Sequence, residues 1–310
     1  MATNTELLGL TLSDYDDYAD ISVINTNMTM VEKAMWARSR VWNLLDNSDF
    51  RNPVNQREGA SYTGAEYGID RWTGGNDTSS VTVTDQGIKF TANGSWNMIY
   101  QYFDAGQLGG KTLTFAACTS EGNLIVGSGV YPTDRGETLI VADVDAETGL
   151  QLMFDTRHTY DGVRICLANT AALDVTVAWA VLYPGAYTAE TLPAYQPKGY
   201  ATELLECQRY FYPVPSQYNM SYPAYAGSAQ EARVTIQTPV PMRVTPSVSV
   251  VDATQIGVGA STAMKSATGL TVLSRDGNGV ALSVATTGLT GFGQPCIVRF
   301  VTKVTLSADF

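Results

Sequence analysis

The sequence predicts a mainly β fold in which a short N-terminal helix precedes two antiparallel β-sandwich modules. Charged residues make up only 16% of the chain, and the 28 Gly and 17 Tyr indicate strands separated by many turns. Helical periodicity ends at Trp42. The segments after it are short, rich in Val, Thr and aromatic residues, and bounded by Gly, Asn or Asp, which is typical of half-buried strands.

The N-terminal helix is predicted from apolar residues that recur at alternating spacings of three and four. Arg38 interrupts this pattern, which otherwise places a stripe on a single helix face. Two interpretations are open: an amphipathic helix that packs on its own domain, or a short parallel bundle of identical chains, since a narrow apolar seam suits helix association. The predicted oligomerisation residues are Ile21, Ile24, Met28, Val31, Met35 and Trp42.

The predicted domain boundaries lie where these patterns change. Residues 1–42 form an acidic arm and the amphipathic helix. Residues 43–187 form the first sandwich, with strand-like segments such as KTLTFAAC, ETLIVADV, VRICLA and DVTVAWAVLYPG. Residues 188–200 contain two prolines and a glycine and are predicted to be a linker. Residues 201–310 are predicted to form a second, distal sandwich.

The charge of the chain narrows the classes of partner. The net charge of −11 argues against nucleic acid and against docking on an anionic membrane surface, because both require a basic face. No window approaches the ~20 apolar residues of a membrane-spanning helix. The first residues lack the basic and apolar regions of a signal peptide, so we expect a protein that acts outside a cell to leave it by lysis or in an assembled particle.

Cysteine and histidine usage predicts neither a metal site nor a cofactor. The four cysteines are far apart in apolar segments, which predicts free thiols and synthesis in a reducing cytoplasm. His158 is the single histidine, so zinc has no ligand spacing. The acidic arm, SDYDDYAD, lacks the glycine and distal glutamate of an EF-hand, and nucleotide-binding loops are absent. A structural calcium ion near Asp46 or Asp49 stays open.

Catalysis would have to rest on His158 or on carboxylates. A serine hydrolase would centre on His158, but Gly127-Ser128-Gly129 is typical of a turn between strands rather than of a nucleophile elbow. A carboxylate pair for glycoside cleavage stays open, because only its separation in space matters. The candidates occupy positions where turns favour Asp and Asn, so we expect structural roles and no enzyme. They are Asp46, Asp49, Glu58, Glu66 and Asp70.

Aromatic residues are the most prominent candidates for binding. SWNMIYQYF places rings at even spacing along a predicted strand, and QRYFYPVPSQYNMSYPAYAGSAQ intersperses tyrosines with Pro, Ser, Gly and Asn. Binding surfaces use this mixture for large contacts at low entropy cost. The alternative is that the rings fill the sandwich cores. The predicted glycan contacts are Trp96, Tyr100, Tyr102, His158, Tyr160, Tyr218, Tyr222 and Tyr225.

Several segments together resemble tail fibre proteins of phages and prophages of Gram-positive bacteria. LTLSDYDDYADISVINTNMTMVEKA resembles their attachment segment, and NLLDNSDFRNPVNQR with YGIDRW resembles the opening of their jelly-roll, carbohydrate-binding-like module. ELLECQRYFY is similar to the start of their distal domain, and TPVPMRVTPSVSV and VTLSADF resemble strands of that domain. The resemblance spans the chain in short pieces. It implies that the first sandwich is jelly-roll-like.

The resemblance also implies a function. Such a protein is a virion component that attaches to tail or baseplate proteins through its N-terminal arm and binds a bacterial surface glycan through its sandwiches, as a homotrimer assembled in the host cytoplasm. A phage-tail-like bacteriocin or injection particle would use the same part. Two alternatives stay open: a polysaccharide depolymerase with a carboxylate pair, and a purely structural fibre segment. Asp70-Arg71-Trp72 is expected to anchor a core beside an ion pair.

Overall fold

The structure is a computed structural model that describes residues 3–4, 11–12, 21–38, 41–64, 66–75, 80–134, 136, 139–216, 220–260, 263–289 and 291–310. Tyr218 and most of the acidic arm lie outside the described residues, as do the side chains of Ile21 and Met35. No helix in the described part is long and apolar enough to span a membrane.

The predicted fold class is confirmed, because the chain is mainly β, with antiparallel sheets and two α-helices among the described residues. The strands of the N-terminal part are β1 (Thr3–Asn4), β2 (Thr11–Leu12), β3 (Ser61–Thr63), β4 (Thr73–Gly74), β5 (Ser80–Thr84), β6 (Gly87–Phe90), β7 (Asn97–Phe103), β8 (Thr112–Thr119), β9 (Leu124–Val130), β10 (Leu139–Val144), β11 (Leu150–Asp155), β12 (Asp161–Leu167) and β13 (Val175–Pro184).

The remaining strands are β14 (Phe211–Val214), β15 (Tyr222–Ser228), β16 (Glu231–Gln237), β17 (Ser247–Val250), β18 (Ile256–Ala260), β19 (Ala263–Ser266), β20 (Gly269–Asp276), β21 (Gly279–Ala285), β22 (Pro295–Phe300) and β23 (Val304–Ser307). The α-helices are α1 (Ile21–Arg38) and α2 (Tyr200–Gln208), and a 3-10 turn spans Ala253–Gln255. The periodicity that predicts α1 continues to Trp42, which lies outside the helix in the structure.

The chain divides into two compact units whose boundaries differ from the predicted ones. Unit 1 comprises Met1–Arg51 and Val83–Pro197, and unit 2 comprises Asn52–Thr82 and Lys198–Phe310. The sequence predicts that residues 52–82 belong to the first sandwich. In the structure, they are part of the second unit.

In unit 1 the strands form two antiparallel layers. One layer has the order β6-β13-β8-β9 and the other the order β10-β11-β12-β7. The chain passes between the layers after β6, β7, β9 and β12, and the first and last strands of the two layers, β6 and β13, are neighbours. Between the layers, Phe115 of β8 stacks on Phe154 of β11 with ring centroids 6.4 Å apart. Both rings are fully buried, and this core therefore holds the two sheets together.

Gly87 allows β6 to lie directly against β13. Its φ is +142°, and a Cβ atom there would lie 2.1 Å from the carbonyl oxygen of Val177. We expect Gly87→Ala to lower the free energy of unfolding of unit 1 by about 2–3 kcal/mol through this clash and the backbone strain together. Hydrogen exchange of amides in β13 would measure the loss.

Gly94→Ala is the matched control for that variant. Gly94 also has a positive φ, +77°, but a Cβ atom there would meet nothing within 4 Å. Only the conformational cost remains, about 1 kcal/mol. Equal losses of unfolding free energy in the two variants would show that the clash with the Val177 carbonyl adds nothing to the cost of Gly87→Ala.

Unit 2 contains a seven-stranded sheet with the order β19-β18-β22-β15-β16-β21-β20 and a three-stranded sheet with the order β14-β23-β17. Residues from both sheets share one apolar core. It includes Leu282 of β21, Phe300 of β22 and Leu306 of β23, all fully buried. This packing makes unit 2 an independent sandwich.

An electrostatic and aromatic cluster attaches residues 52–82 to the rest of unit 2. The Arg57 guanidinium lies 3.8 Å from the Phe211 ring centroid and pairs with the Asp309 carboxylate. Its Nε lies 3.5 Å from Oδ1 of Asp70, and Asp70 is 1% exposed. Arg71 lies over the Tyr210 ring, 3.6 Å from its centroid. The Asp70–Arg57 pair and the contact of Arg71 with Tyr210 therefore anchor this segment in unit 2, whereas the sequence predicts that Asp70-Arg71-Trp72 anchors the first sandwich.

Candidate functional site

The candidate site lies on one face of β7 and β12 in unit 1. Alternation along β7 places Met98, Tyr100 and Tyr102 on this face. The register pairs Tyr102 with Gly162 and Tyr100 with Arg164. The Tyr102 ring lies against Gly162, where a Cβ atom would come within 3.2 Å of Tyr102 Cδ1. The missing side chain therefore makes room for the ring.

Three rings come together here and form what we call the aromatic patch: Tyr102, His158 and Tyr160. The ring centroids of Tyr102 and His158 are 5.3 Å apart at 76°, and those of Tyr102 and Tyr160 are 6.5 Å apart. The His158 side chain is 44% exposed and Tyr160 is 36% exposed. The sequence predicts all three as ligand contacts. The structure shows that they are neighbours.

Tyr100 requires a correction, because it is predicted to contact a ligand but is only 4% exposed. Its ring stacks on Tyr102 with centroids 5.8 Å apart and an interplanar angle of 14°. Its hydroxyl accepts hydrogen bonds from Arg164 Nη1 at 3.1 Å and from Arg157 Nη2 at 3.3 Å. Tyr100 therefore supports the patch from beneath and does not present a surface.

A fixed ion pair borders the aromatic patch. Arg157 donates to both carboxylate oxygens of Asp155, from Nε at 3.0 Å and from Nη2 at 2.8 Å. Burial raises the pKa of Asp155, but the hydrogen bonds from the Arg157 side chain and backbone N–H outweigh it, so the pKa lies below its ordinary value. The same hydrogen bonds raise the pKa of Arg157. Both groups are therefore charged at neutral pH, and the guanidinium plane is held in place.

The charged residues around the patch are not identified as candidates from the sequence. Asp155, Arg157 and Arg164 are not among the predicted contacts, although Asp155 and Arg157 lie in DTRHTYDG beside His158. An Asp and an Arg two residues apart at the end of a strand are a weak signal on their own. Their importance depends on the pairing of β12 with β7, which the sequence does not specify.

The other predicted contacts lie elsewhere. Trp96 is 38% exposed and immediately precedes β7. In unit 2, Tyr222 is half-buried against Phe300, with ring centroids 5.3 Å apart, and its hydroxyl donates to the Pro215 carbonyl. Tyr225, on β15, is 46% exposed. Tyr222 and Tyr225 are three residues apart on β15 and therefore lie on opposite faces of the sheet.

Unit 2 has a polar recess of about 310 Å³ on β16, β20 and β21. Gly279 and Ala281 of β21 lie between the longer side chains of the two neighbouring strands. Among the residues that the structure describes, no aromatic ring lines the recess. The polar residues that line it are Thr235, Gln237, Ser274, Arg275, Asp276 and Asn278.

Three of the five carboxylates considered for catalysis lie beside a basic residue. Asp49 pairs with Arg51 in unit 1, and Asp70 pairs with Arg57 in unit 2. Glu58 is 81% exposed and lies 3.5 Å from Lys303. Asp70 is almost fully buried, so a polymer has no access to it without local opening. Within the described ranges, no group of three His, Cys, Asp or Glu residues is arranged to hold a metal ion.

Comparison with family models, with curated proteins and with solved structures gives no match.

Proposed function

We propose that this chain is the receptor-binding fibre protein of a phage tail or phage-tail-like particle. In this proposal the N-terminal arm attaches to tail or baseplate proteins, and the sandwiches bind a bacterial surface glycan without cleaving it. The aromatic patch is the observation that carries the proposal. It combines exposed rings with a fixed guanidinium, which is the mixture of apolar surface and a few oriented polar groups that a sugar requires.

The helix α1 supports the assembly part of the proposal. Ile24 is 53% exposed and Met28 is 63% exposed, and they lie one turn apart on the predicted stripe. Association of three copies through this face would bury both side chains. Three weak glycan sites would then act together, since the second and third binding events are effectively intramolecular.

The test is staining of intact Gram-positive cells by the labelled full-length protein, with soluble wall glycans as competitors. We expect selective staining that free glycan removes. Tyr160→Ala should weaken it by about tenfold or more, as expected for loss of a contact ring. Tyr200→Ala is the matched control, because Tyr200 is also exposed, at 49%, but lies on α2 in unit 2.

Three results would contradict parts of the proposal. Absence of staining on every strain, with protein shown to be folded, would favour a structural fibre segment. Release of reducing ends from purified wall polymer would favour a depolymerase. Staining that Tyr160→Ala leaves unchanged would place the receptor site outside the aromatic patch, with the polar recess of unit 2 as the next candidate.

A further inference from the structure

We infer that the aromatic patch selects glycans that carry an anionic group, a carboxylate or a phosphate, and that Arg157 binds this group. The inference rests on the proposed function and names the class of glycan. The whole chain has a net charge of −11, yet the patch is bordered by two guanidiniums, Arg157 and Arg164, and one partner carboxylate, Asp155.

β12 also carries a carboxylate, Asp161. Asp161 accepts hydrogen bonds from the backbone N–H groups of Gly106 and Leu108. Its charge is therefore used to hold the turn after β7. Counted with Asp155 and Asp161, the two guanidiniums leave the surroundings of the patch close to neutral, in a chain whose net charge is −11.

Arg164 provides the first part of the argument. It is 5% exposed, and its Nη1 donates to the Tyr100 hydroxyl at 3.1 Å. Among the described residues no carboxylate pairs with it, and its Nε has no hydrogen-bond partner. Its other polar neighbours are the sulfur atoms of Met98 and Met153. A buried cation without a counter-charge is costly, so an anion nearby would stabilise it.

Arg157 lies between the buried Arg164 guanidinium and solvent. Its Nη2 donates to the same Tyr100 hydroxyl at 3.3 Å, so the two guanidiniums share one acceptor. Their like charges repel, and an anion bound at Arg157 would offset that repulsion. The Arg157 side chain is 35% exposed, and an anion in solvent can therefore reach it.

The geometry of Arg157 is suited to this role. Asp155 occupies Nε and Nη2, and no described residue accepts a hydrogen bond from Nη1. The ion pair fixes the guanidinium plane, so little side-chain entropy is lost when Nη1 binds an anionic oxygen. His158 follows directly in the chain, and its ring borders Tyr102. A sugar lying on the aromatic patch therefore places a charged substituent beside Arg157.

Binding of three polymers to the full-length protein tests the inference: a polyuronic acid, the same polymer after reduction of its carboxyl groups to alcohols, and a polyol phosphate. We expect at least one anionic polymer to bind tenfold or more tightly than the reduced one, with a preference that salt weakens. The polyuronic acid and the polyol phosphate distinguish carboxylate from phosphate as the source of the charge. Equal binding of all three polymers would overturn the inference but leave the proposed function standing, and binding of none, together with unstained cells, would overturn both.

Arg157→Gln supplies the residue-level test. We expect the preference for the anionic polymer to fall about tenfold while binding of the reduced polymer is retained. Arg51→Gln is the matched control, because Arg51 makes the same kind of pair with an Asp two residues away, Asp49, in the same unit. If Arg157→Gln does not fold, Arg157→Lys retains the charge but not the forked geometry and should bind the anionic polymer more weakly than wild type. An unchanged preference in the folded variant would overturn the inference.

Discussion

In the Asp70→Asn variant we expect the stability of unit 2 to lack the fall between pH 4 and pH 6 that the buried Asp70 carboxyl contributes in the wild-type protein. Burial raises the pKa of Asp70 from 3.8 to about 6, and the hydrogen bond from the Gln56 backbone N–H and the charge of Arg57 compensate only in part. A shift of this size corresponds to about 3 kcal/mol. This is a large fraction of the stability of an ordinary domain.

The direction of the pH effect follows from proton binding. Below the unfolded pKa, both states hold the proton on Asp70. Between the unfolded pKa of 3.8 and the folded pKa of about 6, the folded state binds more protons, so stability falls as pH rises. Above pH 6 both states are ionised, and the cost of the buried charge stays constant. Asn at position 70 has no charge to bury and can still accept the Gln56 N–H bond.

The measurement is the difference between wild-type and Asp70→Asn stability across this pH range, from hydrogen exchange of β23 in unit 2. The difference removes the repulsion that the net charge of −11 adds as pH rises. Asp155 in unit 1 provides an internal contrast, because its lowered pKa contributes stability that is lost as pH falls. Parallel curves for the two proteins would show that Arg57 fully compensates the burial of Asp70.

Local patterns in the sequence predicted most of the strands. KTLTFAAC matches β8, and VRICLA matches the end of β12. Each of these segments is a short, mostly apolar run, and the strand it matches is buried along most of its length. Such a pattern depends only on neighbouring residues, and a single sequence contains it in full.

The assignment of residues 52–82 to unit 2 was not predictable in this way. It depends on contacts of Arg57 with Phe211 and Asp309, and of Arg71 with Tyr210, across more than 130 residues of chain. A cation over an aromatic ring leaves no periodic signal in a sequence. Residues 52–82 are rich in turns and directly precede the sandwich strands of unit 1, so the sequence predicts that they belong to the first sandwich.

The candidate site was predicted only in part, because it too depends on contacts between residues that are distant in the chain. Even spacing identified Tyr100 and Tyr102, but not their burial, which depends on what packs against the strand. The pairing of Tyr102 with Gly162 brings His158 and Tyr160 beside it. A one-residue change of register would have separated them. The rings could be identified from the sequence, whereas the guanidiniums beside them required the fold.

The double variant Ile24→Asp, Met28→Asp is expected to have the largest effect on binding to cells. If α1 associates through its exposed apolar face, two carboxylates on that face would face like charges in the neighbouring copies. Light scattering at micromolar concentration should then show a trimer for the wild type and a monomer for the double variant. Apparent affinity for cells should fall about 10²-fold or more, because the linked sites no longer act together.

The matched control places the same two charges on the neighbouring face of the helix, as Asn25→Asp, Thr29→Asp, since both residues are also exposed. Affinity of the single site for a short soluble glycan should be the same in all three proteins, because the aromatic patch is unchanged. A wild type that is monomeric would remove the trimer from the proposal. A double variant that remains trimeric would place the association outside α1. Loss of cell binding with unchanged binding of the short glycan would show that attachment depends on three weak sites held together.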